Sequence, residues 1–497
     1  MSLHATLSPE AQQRLQSQRR TSTISSVIIA LLTIVFISII LLIIGLAAGV
    51  TQVEQIATYR GESIVDKPLI RPTVKTEVSR RPARPARSMT RVIAADTSSP
   101  VAIPIPDLNS PHTTLAFGSD GDFGGGLAGE GPGTGIQFNN IPGVMKKRCS
   151  QADRLQRLQE NGGSPECETA VVNALRWLKK TQNPDGSWVT GQKVGMTGLA
   201  LLAYLGHCET AQSEEFGESV LGAITYLVDV SMKNNGKMAT DFKDDHWCYE
   251  HAIATYALGE ALILTRAFDE HLFQLEEAVQ ASGQFLINSQ HRGGGWDYAY
   301  REDSQRGGDL SIVGWHLQAL KACKHTGLEF KNLRNCAKNA LAYVESCQLP
   351  SGAMGYSGPV LNGERDGTSL AAVGALSTQI WGASSRVSSK ACRFIDQKMT
   401  FTWNTADSDL YGHYYATQAM INHGGDAWTR YNALFINQVL PNQAADGSFK
   451  PVAKGGKVNA PGSSFAGSNP FATHYRTCLA TLMLEVYYRF LPATGGN

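Results

Sequence analysis

The sequence predicts an all-α protein built from about six helix pairs, and three observations predict it. From about Glu168 onward, a turn with Gln, then Gly, then an aromatic residue recurs along the chain. Each such turn follows a helical apolar pattern and precedes a second apolar stretch rich in Ala, Leu and Gly. The units return at roughly 45–60 residues, a spacing at which sequence repeats mean solenoids or closed arrays.

The chain has 497 residues, 42% hydrophobic and 18% charged, with a formal net charge of +1. That balance fits neither a basic nucleic-acid binder nor an acidic disordered protein. Residues 1–26 form a short N-terminal tail. Val27–Val50 (VIIALLTIVFISIILLIIGLAAGV) carries no charge. As a helix rising about 1.5 Å per residue it reaches roughly 36 Å, enough for a ~30 Å hydrocarbon core. GLAAGV weakly mimics a signal-peptidase site, but the apolar run is long for a cleaved signal and reads as a single-pass signal anchor. Arg14, Arg19 and Arg20 precede it, while only Arg60 and Lys67 follow before residue 68. This asymmetry places the tail in the cytoplasm and the large domain on the non-cytoplasmic side of the cell membrane. The basic run Arg80–Arg91 opposes that orientation from farther away, where the rule weakens.

Residues 51–145 read as a Pro/Gly-rich disordered linker. RRPARPAR and PVAIPIPDLNSP carry prolines that block helix and sheet, and FGSDGDFGGGLAGEGPGTG is too glycine-rich to order. The basic run is suited to anionic headgroups or simply to solvation. GEGPGTG is no phosphate loop, because no Lys-Ser/Thr follows it and no strand precedes it.

Residues 146–492 form the repeat domain. Its clearest turns are Gln182–Gly186–Trp188, Gln290–Trp296, Gln348–Tyr356 and Gln443–Phe449; weaker units run from AITYLVDVSMKNNGKM and ACRFIDQKMTFTW. Glycine accepts the left-handed turn that ends the first helix, Gln bonds backbone groups at that end, and the aromatic ring packs over the joint between units. The motif reads as a staple between repeats. The second helices (MTGLALLAYLGH, HAIATYALGEAL, SIVGWHLQALKAC, TSLAAVGALSTQIWG, YYATQAMINHGG, YRTCLATLMLEVYYRF) have the composition of helices packed on several sides. One pair cannot bury its own faces, so the pairs must stack.

This Gln-Gly-aromatic turn resembles the QW-type repeat of squalene and oxidosqualene cyclases, and the repeat of protein prenyltransferase beta subunits. YEHAIATYALGEAL, RGGDLSIVGWHLQALKA, GHYYATQAMINHGGDAWTRYN and YRTCLATLMLEVYYRFLP look like blocks of the bacterial prenyltransferase and squalene oxidase repeat proteins. The resemblance covers about residues 150–492 and implies an α/α toroid, six helix pairs closed into a ring. It implies an activity only weakly, since function lives in the site.

Cyclases of that kind protonate an alkene with Asp-x-Asp-Asp. Here DFKDDHW offers Asp241, Asp244 and Asp245 with one extra residue in the spacing, in a polar loop. The prenyltransferase zinc ligands map onto Asp366, Thr368 and Arg476, with His474 nearby. Thr and Arg do not hold zinc, so no metal and no cofactor are expected. The Gly-Cys-Gly-Glu-Gln motif of the related thioester domains is absent.

What remains is a cavity at the starts of the second helices. The residues expected to face it are Tyr249, His251, Asp309, Trp315, Asp366, Tyr414, His474 and Tyr475. Asp309, Asp366 and His251 are the catalytic candidates. Each has a plainer reading: Asp309 and Asp366 as helix N-caps, His251 as a core histidine, Trp315 and Tyr414 as core.

Nine cysteines include no CxxC pair. Most read as small core residues, and Cys149 and Cys167, flanking a polar segment, are the candidates for a bridge in an oxidising compartment.

The leading functional reading is a membrane-anchored toroid that holds an isoprenoid or other lipid in a central cavity. The other is a non-enzymatic module offering its loops to an envelope protein, its cavity plugged by Trp315 against Tyr414. A carbohydrate-active toroid is a remote third.

Overall fold

The computed structural model describes residues 148–301, 305–361, 366–403, 405, 408–451 and 468–489, with the Asp366 side chain excepted. All of them fall within the second of the chain's two units, 104–497. The expected tail, membrane span and linker lie outside the described residues. Among those described, no helix is long and apolar enough to cross a membrane.

The described residues are helical, apart from turns and two isolated bridges. A short α1 (Gln151–Glu160) leads into six helix pairs. Their first members are α2 (Pro165–Thr181), α4 (Gly217–Lys233), α6 (Leu275–Asn288), α8 (Leu333–Ser346), α10 (Ser385–Lys398) and α12 (Gly425–Val439). The second members are α3 (Lys193–Gly206), α5 (Trp247–Ala267), α7 (Leu310–His325), α9 (Asp366–Ile380), α11 (Leu410–His423) and α13 (Pro470–Leu484), and the turn α14 (Val486–Arg489) ends the described chain.

Composition decides which helix of a pair goes inside. α2 buries one stripe, with Cys167, Val171, Ala174, Leu175 and Leu178 inward, and presents Lys179 and Lys180 in its last turn. Pro165 opens it at N1 with Glu166 and Glu168 behind, which suits the positive end of the helix dipole. By contrast every residue of α3 from Val194 to Gly206 is buried. A helix apolar on all sides must be enclosed on all sides. Each second-member helix therefore packs on the next, and α13 returns to pack on α3, so the inner ring closes.

The turns staple the outer ring. Gln182 Nε2 donates to the carbonyl of Gly186 at 2.8 Å and to that of Ser219, in the first turn of the next outer helix, at 2.9 Å. Gln290 does the same to Gly294 and Cys336, both at 2.8 Å. Gln348 reaches Val387 at 2.9 Å, and Gln443 reaches back to Ala170 at 2.7 Å, joining the last pair to the first. Each cross-unit carbonyl lies within a helix, so its second lone pair accepts the Gln amide. Gly186 (φ +85°) sits so close to the neighbouring helix that a Cβ would lie 2.1 Å from the Gly222 carbonyl oxygen. Gly447 repeats this at the closure, 2.2 Å from the carbonyl oxygen of Asn173.

The aromatic ring is the variable part. Trp188 and Trp296 are fully buried and donate Nε1 to Leu178 and Leu286, each at 2.9 Å. In the third turn the expected Tyr356 does not hold this place. Gln348 pairs with Met354 across an isolated bridge, as Gln443 pairs with Phe449, so a buried Met fills the joint. Tyr356, two residues on, is freed for the centre of the ring.

The face at the C-terminal ends of the inner helices is sealed. Arg489, with no solvent exposure, lies 3.2 Å from Glu260, and Arg148 approaches the same carboxylate at 3.4 Å. Burial pushes the Glu260 carboxyl up, but Arg489 and Arg148 outweigh it and hold it below the usual range. Glu485, 3.9 Å from Arg489, is pushed by burial up to about 8. The bridge expected between Cys149 and Cys167 is not formed. Cys149 joins Cys208, at the turn after α3, and Cys167 is a buried free thiol in α2. Cys167 points into the core, while Cys149 and Cys208 meet near the surface.

Urea unfolding of the purified chain tests the staple and the bridge with three substitutions. Gly186→Ala loses roughly 2–4 kcal/mol, because the left-handed backbone and the facing carbonyl both reject a Cβ, whereas Gln182→Ala loses about 1–2 kcal/mol. Cys149→Ser removes the cross-link that closes a 59-residue separation and loses about 2–4 kcal/mol, an effect that vanishes when both proteins are measured reduced.

Candidate functional site

All six inner helices begin around one cavity of about 350 Å³. Gly195, Met196 and Leu199 come from α3, and Tyr249, Glu250 and Ile253 from α5. Ser311 and Trp315 come from α7, Ser369 and Leu370 from α9, Tyr411 from α11 and Tyr475 from α13. Gln192, His246, Tyr298 and Tyr356 reach in from the turns. The cavity is thus axial, and its wall is laid down by the first two turns of each helix.

The aromatic wall is held by hydrogen bonds between neighbours. Tyr249 OH meets Ser311 Oγ at 2.8 Å and Tyr298 OH at 3.4 Å, and Tyr411 OH donates to the Ser311 carbonyl at 2.8 Å. His246 stands edge-on to Tyr298 at 5.3 Å and its Nδ1 is 2.8 Å from Asp244. Trp315 forms the floor. It stacks on Tyr414 with centroids 5.0 Å apart and planes 18° apart, and Tyr414 OH donates to Gln318 Oε1 at 3.0 Å. The two rings are buried against each other, yet the space above Trp315 stays open.

Carboxylates sit at the helix starts. Asp309 caps α7, accepting from Ser311 N at 2.9 Å and from the Ser311 hydroxyl. Arg306 bridges it at 2.5 Å to Asp297 at 3.2 Å. Burial pushes the Asp309 carboxyl up against the pull of Ser311 and Arg306. Asp409 caps α11 through Gly412 N at 3.2 Å and takes the Ser369 hydroxyl. Glu250 Oε2 accepts from two backbone amides at the start of α3, Val194 at 2.9 Å and Gly195 at 3.1 Å. Burial, helped by the charges of Asp244 and Asp241, outweighs the pull of the two amides and raises Glu250 to about 7.

Of the expected cavity residues, Tyr249, Trp315 and Tyr475 line it. Tyr414 lies beneath the floor. Asp309 stands behind the wall as the N-cap of α7. The Asp366 side chain lies outside the described residues. His251 and His474 face away from the cavity. His251 accepts the Met238 amide at 3.1 Å on Nδ1, the task that Thr197 performs for Trp188 and Thr477 for Phe449, each at 3.3 Å. His474 Nε2 lies 2.9 Å from the Met196 carbonyl. Among the described residues no three His, Cys, Asp or Glu side chains converge as a metal site would need. Arg476, at the position the resemblance gives to a metal-binding His, reaches the Phe449 carbonyl at 3.4 Å.

Sequence reasoning passed over Glu250, which lies between two residues it singled out. The available signal was an acid near the start of an otherwise apolar, Ala-rich helix, where a charge needs a partner. Asp241, Asp244 and Asp245 do not form an acid cluster. Asp245 pairs with Arg301 at 2.5 Å, Asp244 with His246, and Asp241 accepts the Lys243 amide at 2.9 Å.

No family model and no curated protein matches the chain. Among solved structures, a variant of the type II terpene cyclase MstE from Scytonema, bound to geranylgeranyl dihydroxybenzoate, is similar at 14% identity and a TM-score of 0.43, over 66% of this chain and 98% of that one. The same enzyme without ligand gives 13% and 0.42, over 65% and 97%. A protein from Actinoplanes gives 15% and 0.41, over 65% and 99%.

His251 supplies a pH test. Burial pushes its pKa down to about 3, so the folded chain keeps it neutral while the unfolded chain protonates it below about 6.5. Its contribution is complete above pH 6.5 and is lost as pH falls toward 3, at about 1.4 kcal/mol per pH unit. Glu250 and Glu485 titrate with the opposite sign, so the comparison that isolates His251 is with His251→Gln. The variant is the less stable protein at pH 7, and the gap closes by pH 5.

Proposed function

We propose that the chain is a squalene cyclase-like toroid that binds an isoprenoid or similar lipid in its axial cavity. The observation that carries this is the convergence of six helix starts on one cavity with aromatic walls and the apolar side chains of Met196, Leu199, Ile253 and Leu370. At about 350 Å³ it falls at the small end of ligand pockets, roughly 300–1,000 Å³, and suits one short prenyl chain better than a triterpene. Binding is the reading the residues favour over turnover. The sequence lacks Asp-x-Asp-Asp, and Thr368 and Arg476 stand where the resemblance would put metal ligands.

In this reading Val27–Val50 anchors the protein and the toroid stands on the non-cytoplasmic side. The Cys149–Cys208 bridge supports that side. The two cysteines nearest the surface are joined, and structural disulfides belong to oxidising compartments.

The test is lipid extraction and mass spectrometry of the purified full-length chain, followed by thermal shift with added prenyl alcohols. A stoichiometric isoprenoid, or a concentration-dependent rise in Tm that is lost in the cavity-filling Ile253→Trp variant, is expected. A lipid-free protein indifferent to every prenyl compound defeats the proposal and leaves the envelope-protein module as the reading to pursue by crosslinking.

A further inference from the structure

Among the described residues that line the axial cavity, Glu250 is the one acid, and none is Lys or Arg. Oε2 of Glu250 is tied to the amides of Val194 and Gly195, which leaves Oε1 for the cavity. Around it stand the rings of Tyr249, Tyr411, Tyr475 and Trp315, whose faces carry negative potential.

Six helix N-termini would ordinarily make such a place attractive to an anion. Here three of the positive ends are already answered by carboxylates. Glu250 takes the amides of α3, Asp309 caps α7 and Asp409 caps α11. The hydroxyls of Ser311 and Ser369 are committed to the same two aspartates. An incoming phosphate would meet the Glu250 carboxylate on the wall, with Asp309 and Asp409 behind it and Arg306 already held between Asp309 and Asp297. A positive group would meet a carboxylate and aromatic faces, the combination that recognises ammonium ligands.

We infer that the ligand of this cavity carries a cationic nitrogen, an ammonium or substituted ammonium head seated against Glu250, with its apolar remainder on Met196, Leu199, Ile253 and Leu370. The inference rests on the reading of the cavity as a lipid site and names the head group that reading leaves open. It also sets a pH dependence, because an ammonium is held by the ionised carboxylate and not by the acid. The groups that bear on Glu250 are few. Asp241 and Asp244 lie in the turn before α5, with His246 paired to Asp244 at 2.8 Å. Tyr226 approaches from α4, and Lys193, at the start of α3, is paired to Asp185 at 2.9 Å. Tyr249 is beside it on α5, and Asp309 lies behind the wall on α7. With Glu250 raised to about 7, the bound cation gains affinity as pH rises through neutrality.

The experiment is calorimetric titration of the full-length chain with three matched probes: geranylamine, geraniol and geranyl phosphate. Geranylamine is expected to bind about tenfold or more tighter than either of the others, the margin of a charge-assisted hydrogen bond. Its affinity rises between pH 5.5 and 8.0, where the amine itself stays charged, while that of geraniol does not change. Glu250→Gln keeps an acceptor for the two amides and brings amine and alcohol to equal affinity. If geraniol or geranyl phosphate binds the wild-type chain as tightly as geranylamine, the head-group inference is wrong and the lipid cavity stands. If none of the three binds, the cavity reading itself falls, and the inference with it.

Discussion

One hydrogen bond carries the repeat's own staple across its two ends, from Gln443 Nε2 to the carbonyl of Ala170 at 2.7 Å, across 273 residues of sequence. It repeats, between the last pair and the first, the bond that Gln182, Gln290 and Gln348 make between successive pairs. An open stack of helix pairs would need polar caps at both ends. This one has none, because its ends cover each other. Ring closure is therefore what allows α3 and α13 to be as apolar as the helices between them, and it is what creates an axis.

The axis is used differently at its two ends. Where the inner helices start, their amides must be satisfied, and carboxylates, hydroxyls and phenols gather to do it. Where they finish, the diameter is filled by Arg489, Glu260 and Arg148, with Glu485 beside them. Between the two lies the Trp315–Tyr414 stack. Helix polarity, given six parallel inner helices, accounts for the capping groups at one end and for Arg489 and Arg148 at the other; the aromatic walls and the plug's carboxylates are this sequence's own addition. Among the described residues the chemistry of the cavity enters at Glu250, the one acid that lines it.

Much of the fold was legible in the sequence because its determinants are local. The Gln–Gly–aromatic turn, the amphipathic outer helix and the all-apolar inner helix are each read within a few tens of residues. The misreadings are equally physical. Tyr356 looks like a staple because it is aromatic, yet the joint is set by distance from Gln348, and Met354 has the right distance. Cys149 and Cys167 flank one polar segment of the sequence. Their separation in space depends on α2 turning Cys167 into the core, which only its packing decides. His251 and Glu250 are adjacent on α5, so one faces the outer ring and the other the axis. Helical periodicity separates such neighbours, but which way each points follows from the closure of the ring.

The closed end has a mechanical consequence. The described chain enters at Arg148, is locked one residue later by Cys149–Cys208, and finishes at Arg489 on the same buried carboxylate. A pull on the polypeptide ahead of Arg148 is borne by a covalent bond to the end of α3 and by ion pairs at the plug. The force is delivered to the ends of the inner helices farthest from Glu250, so the cavity lies outside its load path. Load applied at this end therefore leaves the shape of the cavity undisturbed.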